Sequence, residues 1–222
     1  MTRPNKARRI KRLVGGLVFF LLGSSAAVGL SMAREPQTAP GTSRSTSVAL
    51  PSSDRTLVSA SSVRQAYGAG LIDRPIKSVL NVPEKMNYGD FRWDDKGVPA
   101  GPIWIRVDLK AQLLSVFRSG HEIGTTVILY GASDVPTPTG KFPILAKMKD
   151  HNSATYDAPM PYTLRLTADG VSIHASNVRW GYATHGCIGI PKVFAAKLFN
   201  AASIGDEVFV TNGALSGPSA QS

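Results

Sequence analysis

Between Gly101 and Thr211 apolar and polar residues alternate in short runs separated by turn residues. Side chains of a strand point to opposite faces with a period of two, so this texture restricts the segment to a mainly β fold. Ile103, Ile105, Val107 and Leu109 alternate with Trp104, Arg106 and Asp108. Leu113 to Phe117 reads as a second strand, and Ser119-Gly120 as a hairpin turn into a third from Ile123 to Tyr130. Phe142, Ile144, Ala146 and Met148 alternate again. Tyr162 to Thr167 and Val171 to His174 form a further pair, joined at the turn residues Asp169-Gly170. Pro191 suits a first helical position and opens a helix to about Ala202; Gly205 to Thr211 supplies a last strand. The fold class predicted is mostly β with one late α-helix.

The flanks differ in texture. The first dozen residues hold Arg3, Lys6, Arg8, Arg9, Lys11 and Arg12, and the run Leu13 to Met32 that follows is apolar. Residues 1–33 therefore read as a signal peptide, with Ser31-Met32-Ala33 as a small-x-small cleavage site, or as an uncleaved anchor. Both readings put the rest outside the cytoplasm, with a membrane contact only through this segment. The 19 remaining basic residues face 15 acids along the rest of the chain, too even a balance for a nucleic-acid-binding domain. Twelve of the 26 residues from Gln37 to Ser62 are Ser or Thr, so residues 34–62 read as a solvated tether. Residues 63–100 carry Pro75, Pro83 and Pro99 and read as an irregular extension with one short helix at most, packed on the following domain. The tail 213–222 reads as disordered.

The reactive side chains gather between Ser172 and Pro191. His174 and His185, two of the four histidines, lie there with Cys187, the single cysteine. A lone cysteine excludes an internal disulfide and a Cys-rich zinc module. Cys187 falls in a loop ahead of the helix expected at Pro191. A helix N-terminus and a nearby imidazole both favour thiolate. Gly186 permits close backbone approach, and N–H groups around Gly186 and Cys187 are suited to face an oxyanion. This is a layout for nucleophilic acyl transfer. His174, His185 and Cys187 are also three competent zinc ligands, with distant His151 or Asp157 as a fourth, although His-x-Cys is tight for zinc. A purely structural role is the third alternative.

At these residues the sequence resembles the L,D-transpeptidases of the YkuD type, bacterial cell-wall enzymes. The residues that carry the resemblance are His174, a nine-residue spacer, then Thr184-His185-Gly186-Cys187-Ile188-Gly189. Gly181-Tyr182-Ala183-Thr184 is similar to a short-spacer subgroup, apart from a missing proline. Val107 to Gln112, Thr137 to Phe142, Asp150 to Ser153 and Ala158 to Tyr162 look like further family segments in the same order. The resemblance spans residues 101–212. It implies a sandwich-like L,D-transpeptidase catalytic domain that works without cofactor or metal on peptidoglycan stem peptides. Cys187 would be the nucleophile and His174 the base. His185, Gly186 and Thr184 would support the site, and Tyr156, Tyr162, Arg179 and Trp180 would contact substrate. The usual product is a 3–3 crosslink; a carboxypeptidase or a weakened wall-binding module are the alternatives. One departure stands out: Gly189 occupies a place where the subgroup usually has Arg, which leaves substrate recognition or turnover open.

Overall fold

In a computed structural model of the protein the described residues are 54–213, without residues 70, 71, 83, 154 and 155. The segment read as a signal or anchor, most of the stretch read as a tether and the tail from residue 214 lie outside them. Among the described residues no helix is long and apolar enough to cross a membrane.

The chain opens with β1 (Arg55–Leu57), α1 (Ala60–Gly68), β2 (Ser78–Leu80) and β3 (Phe91–Trp93). Next come β4 (Ile103–Asp108), β5 (Leu113–Arg118), β6 (His121–Val127) and β7 (Gly140–Pro143). Four short strands follow: β8 (Ala146–Met148), β9 (Asn152–Ser153), β10 (Ala158–Pro159) and β11 (Thr163–Arg165). The domain ends with β12 (Ser172–Ala175), β13 (Ile188–Ile190), α2 (Lys192–Ala201) and β14 (Glu207–Thr211).

A large sheet runs β1-β2-β6-β5-β4-β14-β7, with β3 also paired to β6. A four-stranded sheet runs β13-β12-β11-β8, and β9 pairs with β10 as a separate hairpin. The alternation at Ile103 to Asp108 places Ile103, Ile105 and Val107 in the core opposite Arg118, Val116 and Leu114. The turn at Ser119-Gly120 forms as its residues suggest, both at positive φ (53° and 87°).

The mostly β expectation holds, with two corrections. There are two helices among the described residues, because α1 forms ahead of the domain. Ser59 caps it, accepting from the Ser62 N–H at 3.1 Å. In addition, ordered elements begin inside the stretch whose composition suggests a tether. β1 pairs with β2, and Arg55 reaches across to donate to the backbone carbonyls of Glu122 and Asp94. Pairing partners far away in sequence override a Ser/Thr-rich composition.

The extension packs on the domain, as its apolar residues suggest. Phe91 and Trp93 of β3 meet Phe194 of α2 edge to face, with centroids 5.8 and 5.3 Å apart. Gly124 of β6 makes room: a Cβ there would lie 2.5 Å from the Trp93 ring. Phe194, Ala195 and Leu198 form the buried face of α2. Burying Phe194 and Leu198 contributes about 1.5–3 kcal/mol each.

Two features position the site. The run read as one alternating strand, Phe142 to Met148, is divided between both sheets. Ile144 N–H donates to Asp206 and Leu145 N–H to Arg165, so the chain leaves β14 and joins β11 within two residues. β13, an additional strand, lies parallel to β12, with Ile173 opposite Ile188 and His174 opposite Gly189.

Candidate active site

β12 and β13 bring the reactive groups together. His174 lies on β12 and Cys187 immediately precedes β13. Both line a cleft of about 1640 Å³ that also takes in His151, Tyr156, His185 and Gly186. The cysteine loop is sewn to the segment after β6. Thr184 N–H donates to Tyr130 at 3.0 Å, and Ala132 N–H to Thr184 at 3.1 Å. Thr184 Oγ1 donates to the Cys187 carbonyl, closing the turn over Gly186. Gly186 sits at φ +97°, a conformation that suits only glycine without strain.

The resting state of the pair follows from its hydrogen bonds. His174 Nδ1 lies 2.9 Å from the carbonyl of Ala175, which can only accept, so Nδ1 carries the proton. The other nitrogen, Nε2, is then the basic one in the neutral ring. Burial pushes the His174 pKa down, with His151 adding to that and the bond to Ala175 opposing it. Cys187 Sγ lies 3.9 Å from the Gly170 carbonyl. Burial pushes the thiol pKa up, Asp169 adds to that, and the Ser172 backbone N–H opposes it. Near neutral pH the pair therefore rests as thiol and neutral imidazole.

This differs from the thiolate that the loop-before-helix reading favours. The three extended residues of β13 stand between Cys187 and α2. They span about 10 Å of chain, beyond the reach of most of a helix-end field. The strand was hidden because Ile-Gly-Ile is short and carries a glycine.

The supporting residues divide. His185 is stacked on Tyr156 with centroids 4.3 Å apart and planes at 19°, so Tyr156 does line the cleft. Tyr162 instead packs edge-on to Phe199 of α2 at 5.8 Å, and it is not among the cleft-lining residues. Trp180 is 75% exposed and meets Tyr88 edge-on at 5.7 Å; it and exposed Arg179 lie outside the lining as well. Among the described residues no group of three or more His, Cys, Asp or Glu is placed to hold a metal ion.

Sequence reasoning passed over three residues that the fold brings here. His151 acts electrostatically on His174 and was weighed only as a distant ligand. The Ser172 backbone N–H opposes the rise in the thiol pKa, since the parallel register continues from Ile173 and Ile188 to bring Ser172 beside Cys187. Ser176 Oγ lies 3.4 Å from His174 Nδ1.

Comparison with known proteins finds relatives of one kind. Residues 102–210 match the family model described as YkuD, L,D-transpeptidase catalytic domain. L,D-transpeptidase 1 of Mycobacterium tuberculosis is 30% identical over 135 residues, covering 52% of this chain and 53% of that protein. The chain thus spans about half the length of the curated relatives it matches. Among solved structures, an L,D-transpeptidase from Stackebrandtia nassauensis is similar at 25% identity and a TM-score of 0.48, over 52% of this chain and 58% of that one. An L,D-transpeptidase from Mycobacterium smegmatis is similar at 21% identity and a TM-score of 0.47, over 58% of this chain and 80% of that one.

Proposed function

Residues 102–210 belong to the YkuD family of L,D-transpeptidase catalytic domains, and from this premise we propose that the chain is an extracytoplasmic peptidoglycan L,D-transpeptidase with a Cys187 nucleophile. The observation that carries the reading is the 2.9 Å contact between His174 Nδ1 and the Ala175 carbonyl. The Nδ1–H is held by Ala175, which leaves Nε2 as the base in a cleft shared with the Cys187 thiol.

In the forward step His174 Nε2 takes the thiol proton as Sγ attacks the carbonyl of the third stem residue. The carbonyl oxygen gains the negative charge, and backbone N–H groups around Gly186 and Cys187 stabilise it. The intermediate collapses with cleavage of the C–N bond to terminal D-Ala. His174 returns the proton to the leaving amine, and a thioester remains on Cys187. The side-chain amine of a neighbouring stem then attacks the thioester. His174 accepts its proton, the C–S bond breaks, and the thiol is restored as a 3–3 crosslink forms. Water in place of the amine gives a free tripeptide stem. Thr184 holds the loop, and the His185–Tyr156 stack forms one wall against which a stem can lie.

Mass spectrometry of muropeptides incubated with the full chain tests this. D-Ala loss and stem dimers are expected with the wild type and not with Cys187→Ala. Loss without dimers assigns a carboxypeptidase, and equal products from Cys187→Ala would overturn the mechanism.

A further inference from the structure

The structure offers an account of Gly189 that turns on its neighbour. Gly189 lies in β13 opposite His174, and both its backbone groups are tied to Leu129, each at 2.9 Å. A Cβ built on Gly189 would fall 2.7 Å from Ser176 Oγ and 2.8 Å from Ser176 Cβ. Leu129 Cβ would be 3.4 Å away on another side. Ser176 is also fixed, its N–H donating to Ile190 at 2.8 Å. Neither backbone can yield without breaking these bonds, so any side chain at 189 must displace Ser176. Ser176 Oγ, in turn, stands 3.4 Å from His174 Nδ1. Because the Nδ1 proton already points to an obligate acceptor, the hydroxyl oxygen is its second acceptor.

We propose that Gly189 and Ser176 form a coupled pair, in which the absent side chain admits the Ser176 hydroxyl as a positioning residue for His174. The proposal rests on the reading of His174 as the base. On this account Gly189 is not a lost contact but the space that a particular histidine brace needs. A second acceptor on Nδ1–H restrains ring rotation and favours the imidazolium formed during the reaction, so its removal lowers the His174 pKa. The other titratable or charged groups around the cleft are His151, Tyr156, Arg165, Asp169, His185, Cys187 and Lys192. None of them is altered by the substitutions below.

The test uses the full chain as wild type, Ser176→Ala, Gly189→Ala and the double variant Ser176→Gly/Gly189→Ala. Two quantities are read: ring-nitrogen NMR titration of His174, and the pH profile of D-Ala release. For Ser176→Ala the acid limb and the His174 titration should both move down by about half a pH unit. Its kcat should fall about three- to tenfold with KM nearly unchanged. Gly189→Ala should lose more than about tenfold, and the double variant should be no worse than Ser176→Ala because the clash is gone. An unchanged His174 titration in Ser176→Ala, or a double variant as poor as the two losses multiplied, would overturn the pair. Ser176→Ala carries the test if Gly189→Ala does not fold. If the wild type releases no D-Ala, the functional reading fails, while the NMR titration still decides whether Ser176 braces the ring.

Discussion

Two parts of this molecule bury a histidine beside a second titratable group, and they use it in opposite ways. Where the N-terminal strands join the large sheet, His121 Nδ1 and Ser78 Oγ are 2.9 Å apart, and Glu122 Oε2 accepts the Leu80 N–H at 2.9 Å. Arg55 donates to the Glu122 backbone carbonyl. Each of these bonds joins the N-terminal strands to the domain. In the cleft, by contrast, His174 spends one ring nitrogen on its own strand, which leaves the other as the basic one, and the Cys187 thiol has a long contact to the Gly170 carbonyl. Burial alone therefore does not mark a reactive group. The difference lies in what faces the pair: His121 and Glu122 are tied to Ser78 and Leu80 of the N-terminal strands, whereas His174 and Cys187 line a cleft large enough for a substrate.

Substitutions should separate the two regions cleanly. The largest effect belongs to Cys187→Ala, which should lower D-Ala release by at least about a thousandfold. Its Tm should stay within a few degrees of wild type in a thermal melt. Glu122→Ala should do the reverse. It strands the Leu80 N–H and should cost about 1–3 kcal/mol in urea unfolding. The folded fraction should keep its kcat. If Glu122→Ala instead loses activity at full stability, the contrast between the regions is false.

A subtler contrast is in pH. Burial pushes the Glu122 carboxyl pKa up, against the lowering effects of Ser115, the Leu80 N–H and Arg55. The folded state then holds that proton more tightly than the unfolded one. Its stabilising contribution is present below the unfolded carboxyl value and is lost as pH rises through the folded one. Glu122→Gln should remove this fall, seen as a flatter plot of Tm against pH on that side. His121 works in the other direction. Burial first, then Lys77 and Arg55, lower its pKa, so its contribution is present above the ordinary histidine value and is lost as pH falls through the lowered one. The smallest effect is in the cleft. Because burial raises its pKa, Cys187 should be alkylated slowly at neutral pH, with a rate still climbing above the usual thiol range. A flat, fast profile near neutrality would show that the pair rests as thiolate and imidazolium instead.

What the sequence made legible follows the range of the forces involved. β4 and β5 were readable because Ile103, Ile105 and Val107 bury one face by simple alternation. The turn at Ser119-Gly120 and the helix after Pro191 were readable from local chemistry. β1 was not, because Arg55–Leu57 is a strand only through its pairing with Leu80, Val79 and Ser78. β6 was readable through its hairpin turn although it carries no alternation, since all its residues are buried; its bounds shift from Ile123–Tyr130 to His121–Val127. The step from one sheet to the other at Ile144 and Leu145 kept the apolar rhythm of a continuous strand and so concealed itself. At the site, Cys187 and His174 were marked by residue type and spacing. The surroundings of the thiol and the fit of Ser176 against Gly189 depend on the β12–β13 register, and the packing of Tyr162 on Phe199 on a contact with α2, none of which a short-range pattern specifies.

The central claim is that Cys187, with His174 as its base, takes up a stem acyl group. Intact-mass analysis of the full chain, quenched early in its reaction with a tetrapeptide stem, tests it most directly. The account predicts an added mass equal to the stem without D-Ala, located at Cys187 by peptide mapping and discharged by an amine acceptor. D-Ala release at full rate with Cys187 unmodified at every time point, and undiminished in Cys187→Ala, would contradict it.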